Sequence, residues 1–377
     1  MYVKDKSRAG CFSRASSNSI ETLTKAEASS LISYKKQKCK KSTKHAFLSF
    51  ALIVFTSFTI IWVLIPVSFL LSLNFQTFMV FIPINAPANV DFSRPQDLGL
   101  RGIYNHYLET QDYHDKTTWT SIGLWLVLHE QDINKTTTSN VEQLLNETDK
   151  DILIYLHGVL SNRARATEQY RVLRKHFIIV AVDHRGYGDS GKNVRMSEQG
   201  MAYDHLQIYE WIRKVNTKKD IYYWGHSMGS GISATTVNWL KERRNEVPKG
   251  LVLESPFTTL RDVVRNTVIG KMFAWLPYFE STILQPLSDN GLLFETEVNM
   301  RRINCPVMIM HAEDDPVIPY FLGERLAKNS IRENWQGNVT FHGISAKLGL
   351  GHANIIHHSD MDTFIEDFKI ECRSFQR

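Results

Sequence analysis

The pentapeptide Gly225-His226-Ser227-Met228-Gly229 limits the fold of this chain more than any other feature. It follows the apolar run Ile221-Tyr222-Tyr223-Trp224 and precedes the small-residue stretch Ser230-Gly231-Ile232-Ser233-Ala234. A buried strand that turns into a helix through a serine leaves room only for glycine on either side, and it holds the hydroxyl at a strained tip above a sheet. Gly-x-Ser-x-Gly arises by chance in roughly one chain in ten of this length, so its context decides. Here the strand precedes and the helix follows.

The rest of the C-terminal part agrees. From about residue 119, apolar strand-like runs alternate with longer amphipathic segments, which predicts an α/β domain over 119–377 with a mostly parallel sheet flanked by helices. The expected strands are 122–128, 152–157, 177–183, 221–224, 250–254, 307–311 and 339–342. The expected helices are 197–215, 230–244, 320–333 and 360–371, with Ser230 and Asp360 as capping residues. The alternation breaks between about 256 and 301, where an insertion is expected.

A second constraint is a gap in the charges. No Asp, Glu, Lys or Arg occurs between Lys44 and Asp91. A helix needs about 20 apolar residues to cross a bilayer core, so residues 47–71 read as one transmembrane helix, bent at Pro66. A cleaved signal peptide has a shorter apolar region nearer the start of the chain. Residues 1–45 read as a disordered basic tail, and residues 74–118, with Pro83, Pro87 and Pro95, as a connecting region.

The first 45 residues carry eleven Lys or Arg and three Asp or Glu, a net of +8, leaving −3 for the remainder. The overall +5 is thus a property of the tail and does not point to nucleic acid. Lysines 35, 36, 38, 40, 41 and 44 stand just before the span and predict a cytoplasmic N-terminus. Three acceptor sequons, at Asn134, Asn146 and Asn338, all follow the span, in keeping with a lumenal or extracellular catalytic domain. Cys305 and Cys372 share that side and are candidates to pair, whereas Cys11 and Cys39 fall on the reducing side. No metal-ligand cluster or phosphate-cradling loop is evident, and no cofactor is expected.

A serine hydroxyl is a poor nucleophile at neutral pH and needs a base. His352, in Gly349-Leu350-Gly351-His352-Ala353 after the last strand, is the candidate; His357 and His358, at the approach to the final helix, are its rivals, whereas His342 sits inside a strand and His226 stands beside the nucleophile facing elsewhere. The acid is expected in His311-Ala312-Glu313-Asp314-Asp315-Pro316, where either aspartate can serve. The amide of Met228 and one from the turn after Leu156-His157-Gly158, best Val159, would hold the oxyanion.

The array Leu156-His157-Gly158, Asp183-His184-Arg185-Gly186-Tyr187-Gly188, Gly225-His226-Ser227-Met228-Gly229, Leu253-Glu254-Ser255-Pro256-Phe257 and His311-Ala312-Glu313-Asp314-Asp315 resembles an α/β-hydrolase-domain group, the membrane-anchored monoacylglycerol and lysophosphatidylserine lipases. The resemblance implies the α/β-hydrolase fold and the order serine, acid, histidine. Against the His-Gly-x-x-Asp-x-x-Val-Pro pattern of the superfamily it selects Asp315, with Asp314 as the alternative. It further implies a cofactor-free serine lipase acting on lysophospholipids and monoacylglycerols, in a secretory-pathway membrane such as the endoplasmic reticulum. A membrane-bound thioesterase or protein deacylase would use the same residues, and an inactive hydrolase fold serving as an interaction module is a further alternative.

The chain departs from the resemblance after Gly158, where Val159-Leu160-Ser161-Asn162-Arg163-Ala164-Arg165 replaces the frequent Asn-x-Gly. Arg163 and Arg165 are candidates to meet an anionic headgroup. The apolar run 272–279 within the insertion is expected to form an acyl-chain site, a membrane-facing lid, or ordinary core.

Overall fold

The computed structural model describes residues 25–135 and 138–375. The chain divides between Ile65 and Pro66. On the N-terminal side lies the helix Lys25–Thr59, continued by a π-helical turn at Ile60–Leu64. The helical stretch Ala26–Leu71 is 46 residues long, and its most apolar window has a mean hydropathy of 2.5 with none of it buried. That makes it a candidate membrane span.

Residues 25–45, read from sequence as part of a disordered tail, are therefore helical, and residues 1–24 lie outside the described residues. The reason is plain in the sequence. Neither Gly nor Pro occurs between Gly10 and Pro66, and the lysine-rich stretch is built from residues that tolerate a helix, so the apolar helix propagates backward. The irregularity also has a cause. Pro66 has no N–H to give, and just before it the Ile65 amide reaches back five residues to the Ile60 carbonyl.

The part from Pro66 onward is built on one eight-stranded sheet in the order β1-β2-β4-β3-β5-β6-β7-β8. The strands are β1 (Ile103–Gln111), β2 (Trp119–Val127), β3 (Ile152–Leu156), β4 (Ile178–Val182), β5 (Ile221–His226), β6 (Gly250–Glu254), β7 (Val307–Ala312) and β8 (Val339–Ile344). β2 is antiparallel to both its neighbours, and the pairs from β4 to β8 are parallel. The seven expected strands are present.

β3, β4 and β6 are buried at every residue, as strands covered on both faces must be. Alternation divides them between two cores: Ile152, Ile154 and Leu156 pack on one side, Leu153 and Tyr155 on the other. β1 lies at the sheet edge and is mostly only partly buried, with Asn105, His106, Glu109 and Thr110 in its sequence. The sheet thus begins at Ile103, inside the stretch read as a connecting region.

The helix Leu73–Phe81 also belongs to this body. Phe81 is fully buried against Phe294, the Asn290 amide donates to Gln76 Oε1 at 2.8 Å, and the Tyr187 hydroxyl donates to the Phe81 carbonyl. Between β6 and β7 the expected insertion is helical, with segments Leu260–Asn266, Val268–Phe273, Gln285–Asp289 and Thr296–Met300. Within its apolar run, Leu276 and Phe279 are buried and Met272 and Trp275 are exposed.

Candidate functional site

The parallel strands deliver their C-terminal ends to one edge. β3 is paired with β4 on one side and β5 on the other, so successive connections leave in opposite directions at this edge, the place where open parallel sheets carry their sites. Ser227 stands there, directly after β5, with φ 54° and ψ −120°, a conformation costly for any residue with a Cβ. The helix starts at Met228, two residues before the expected Ser230, because the strained serine itself makes the turn; no side chain caps this helix.

The glycines are explained atom by atom. A Cβ on Gly225 would fall 2.3 Å from the Gly229 carbonyl oxygen, and one on Gly229 would fall 2.3 Å from the Leu156 carbonyl oxygen. Strand, turn and helix therefore meet backbone to backbone. Three hydrogen bonds fix the turn: the Ser227 amide to the Glu254 carbonyl at 2.9 Å, and the Ser230 amide and hydroxyl to the Ser227 carbonyl at 2.9 and 2.6 Å.

At the end of β7 the two aspartates take different partners. Asp315 Oδ2 accepts from His352 Nδ1 at 2.7 Å, and Oδ1 accepts from the amides of Val317 and Ile318 at 2.8 and 2.9 Å. Asp314 Oδ1 accepts from the Gly351 amide at 3.1 Å and so holds the loop that presents the histidine. Burial pushes the Asp315 carboxyl up, but hydrogen bonds from His311 and His352 and the Ile318 amide outweigh it, and the group stays ionised well below the usual carboxylate range. The His311 ring, fully buried, reaches Asp315 Oδ2 at 3.2 Å and the Ile318 carbonyl at 3.0 Å. Sequence reasoning treated His311 only as part of a motif; the structure places it as a second imidazole on the carboxylate.

His226 was read as facing away. Instead its Nε2–H donates to the His352 carbonyl at 2.9 Å, with the two rings 4.9 Å apart, and Ser255 Oγ donates to the same carbonyl at 3.2 Å. The histidine loop is thus fastened from the residue beside Ser227 and from the residue after β6. Burial pushes the His226 imidazole down against the pull of Glu254, which keeps it a neutral donor. The hydrogen bonds of His352 go to these groups, and none of them goes to Ser227. His342 and His358 stack on Phe364, away from this cluster.

The strand exit after β3 closes the other side. A Cβ on Gly158 would lie 2.9 Å from the Ser227 Cβ, so the turn carrying Val159 runs against the serine. Beneath it, the His157 imidazole donates from Nδ1 to the Gly158 carbonyl at 2.7 Å, and burial pushes it down to about 3. His184 Nε2 donates to the His157 carbonyl and accepts at Nδ1 from His205, both at 2.9 Å.

Arg163 does not meet a headgroup. It is fully buried, donates to Asp183, to Asp189 at 2.6 Å and to Asn105 at 3.0 Å, and lies over the Phe92 ring. Four local partners consume the charge. Arg165 is exposed. No disulfide joins Cys305 to Cys372; both are buried, and burial pushes the Cys372 thiol above its ordinary range. Among the described residues no group of His, Cys, Asp and Glu is arranged to hold a metal.

Known proteins resemble this chain. Residues 147–291 match the family model described as serine aminopeptidase, S33. The chain is 32% identical over 304 residues to lysophosphatidylserine lipase ABHD12 of Xenopus tropicalis, covering 78% of this chain and 76% of that one. It is 32% identical to the Rattus norvegicus protein of the same name, over 81% and 77%. The human protein ABHD12B is 28% identical over 66% and 68%. Among solved structures, a Pyrococcus furiosus esterase, Pf2001, superposes with a TM-score of 0.50 at 18% identity, over 74% of this chain and 94% of that one, which supports the fold. The chain is an α/β-hydrolase and belongs to the ABHD12 family of serine hydrolases.

Proposed function

We propose that this chain hydrolyses the acyl ester of lysophospholipids, lysophosphatidylserine among them, and of monoacylglycerols through an acyl-enzyme. Ser227 attacks the carbonyl carbon, His352 takes the serine proton and returns it to the departing glycerol oxygen, and water then releases the fatty acid by the same route. The amides of Met228 and Val159 hold the oxyanion.

The observation that carries this reading is the 2.7 Å bond from His352 Nδ1 to Asp315. It fixes the tautomer with Nδ1 protonated, which leaves the Nε2 lone pair as the base, and it places the ionised carboxylate where an imidazolium would form. Hydrogen bonds between catalytic groups are often long before substrate arrives, so His352 is expected to close on Ser227 in the complex. The relatives named as lysophosphatidylserine lipases support the lipid class.

The candidate span supports a membrane-anchored enzyme. The lysine flank favours a cytoplasmic N-terminus and a lumenal or extracellular catalytic domain, in the endoplasmic reticulum membrane. Asn134, Asn146 and Asn338 are exposed, as glycan acceptors must be.

The test is labelling of the full chain by a fluorophosphonate probe, followed by lipid profiling of membranes with and without the protein. Ser227-dependent labelling with a fall in lysophospholipids and monoacylglycerols is expected. Labelling with those lipids unchanged would assign the acyl-enzyme to another substrate. Absence of a mass shift on Asn134→Gln and Asn146→Gln in a secretory host would overturn the orientation.

A further inference from the structure

The two edges of the sheet differ in what they show to solvent. Where the parallel strands begin, the chain carries Asp149, Asp151, Lys219, Asp220 and Lys249. Where they end, the loops that bring Ser227, Asp315 and His352 together carry large apolar side chains instead. Leu160 follows β3, Val317 follows β7, Leu348 follows β8, and Met272 and Trp275 sit on the insertion after β6; each is between 41% and 64% exposed. Single exposed apolar residues mean little, but five of them on the four segments that leave this edge make a rim.

Its composition fits one partner. An aromatic and several aliphatic side chains alternate with the exposed basic residues Arg165, Lys271 and Lys347, the mixture that lies at a boundary between hydrocarbon and headgroups. The same body contains Val67, Leu70 and Leu71, exposed residues at the end of the candidate span, so a bilayer is within its reach.

We propose that this apolar rim docks the catalytic edge onto a phospholipid bilayer, so that an amphiphile enters the site without crossing water. The rim side chains enter the headgroup boundary, and the three basic groups meet phosphate. This deepens the lipase reading and rests on it for the purpose of docking, but the contact itself is independent of turnover.

The experiment uses the full chain in phosphatidylcholine nanodiscs, with Cys11→Ser and Cys39→Ser as background. A fluorophore is placed on Leu348→Cys or, as control, on Ile331→Cys, an exposed position late in the helix Tyr320–Arg332. Doxyl-labelled phosphatidylcholine is expected to quench the first and spare the second. Equal quenching at both, or none at Leu348→Cys, overturns the proposal, and this holds in a Ser227→Ala background where no lipid is cleaved. In addition, Trp275→Glu with Leu348→Glu is expected to lower the ratio of turnover on bilayer-held monoacylglycerol to turnover on a dissolved butyrate ester by about tenfold, the scale of one or two apolar side chains left out of the membrane. An unchanged ratio overturns it as well.

Discussion

The elbow around Ser227 and the buried cluster around Arg163 are both rigid, and they are held by opposite means. The elbow is held by backbone packed against backbone, its own and that of the neighbouring strands. Gly225 and Gly229 stand two residues either side of the serine, and they are glycines because a Cβ at either would strike backbone oxygen at 2.3 Å. Arg163 instead gathers Asp183, Asp189 and Asn105 from 20, 26 and 58 residues away, and Arg185 does the same with Asp204 and Asp112 from 19 and 73. Backbone contacts force one serine into a strained conformation. Long-range ion pairs do the reverse and withdraw a charge from solvent: the Arg163 guanidinium is fully buried against Asp183 and Asp189, with no exposed face for a ligand.

Substitution separates the two kinds of rigidity. Ser227→Ala is expected to reduce kcat on a soluble ester by about 10⁶-fold, with the melting temperature almost unchanged, as read by single-turnover kinetics and thermal unfolding. Asp315→Asn comes next, at about 10⁴-fold, because the amide presents the wrong partner to His352 Nδ1; Asp314→Asn, which touches only the Gly351 amide, is expected to stay within about tenfold. Should the two asparagine variants lose activity equally, the division of labour between the aspartates would be wrong. Arg163→Met inverts the pattern. It leaves Asp183 buried without its cation, at a cost of about 3–5 kcal/mol in denaturant unfolding, while the fraction that stays folded keeps its turnover per site. A stable Arg163→Met protein with altered lysophospholipid preference would instead return this arginine to the headgroup.

The same division explains what could be read from the sequence. Six strands declared themselves as apolar runs buried within the sheet, and β8, partly buried at the other edge, through Val339 and Phe341; Ser227 and His352 were picked out by the glycines around them. The acid needed more. Asp314 and Asp315 are adjacent and chemically equal; the resemblance selected Asp315, and in the structure the turn tells them apart, with the Val317 and Ile318 amides converging on that carboxylate. β1 was missed because an edge strand on this sheet is only partly buried and its polar residues show no alternation. His226 and Arg163 were misread for a shared reason: the direction of a long polar side chain is set by partners more than a hundred residues away in one case, and by several scattered partners in the other.

Glu198 extends the contrast to a charge with no counterion. It lies in the first turn of the helix Glu198–Val215, almost fully buried, with Oε1 on the Thr235 hydroxyl at 2.7 Å and Oε2 on the Phe294 amide at 2.6 Å. It thereby ties the insertion to the helix that follows Ser227. Burial pushes its carboxyl from 4.5 up to about 7, against the pull of those two hydrogen bonds. A carboxyl raised in the folded state stabilises the fold below its unfolded value and loses that contribution as pH rises through the folded one. Stability is therefore expected to fall between about pH 4.5 and pH 7, and Glu198→Gln, whose amide can donate to Thr235 and accept from Phe294, should flatten that slope and add about 1–3 kcal/mol above pH 7. Parallel unfolding curves for the two proteins across this range would mean that Glu198 keeps its charge when buried, held by the Thr235 hydroxyl and the Phe294 amide without a cation.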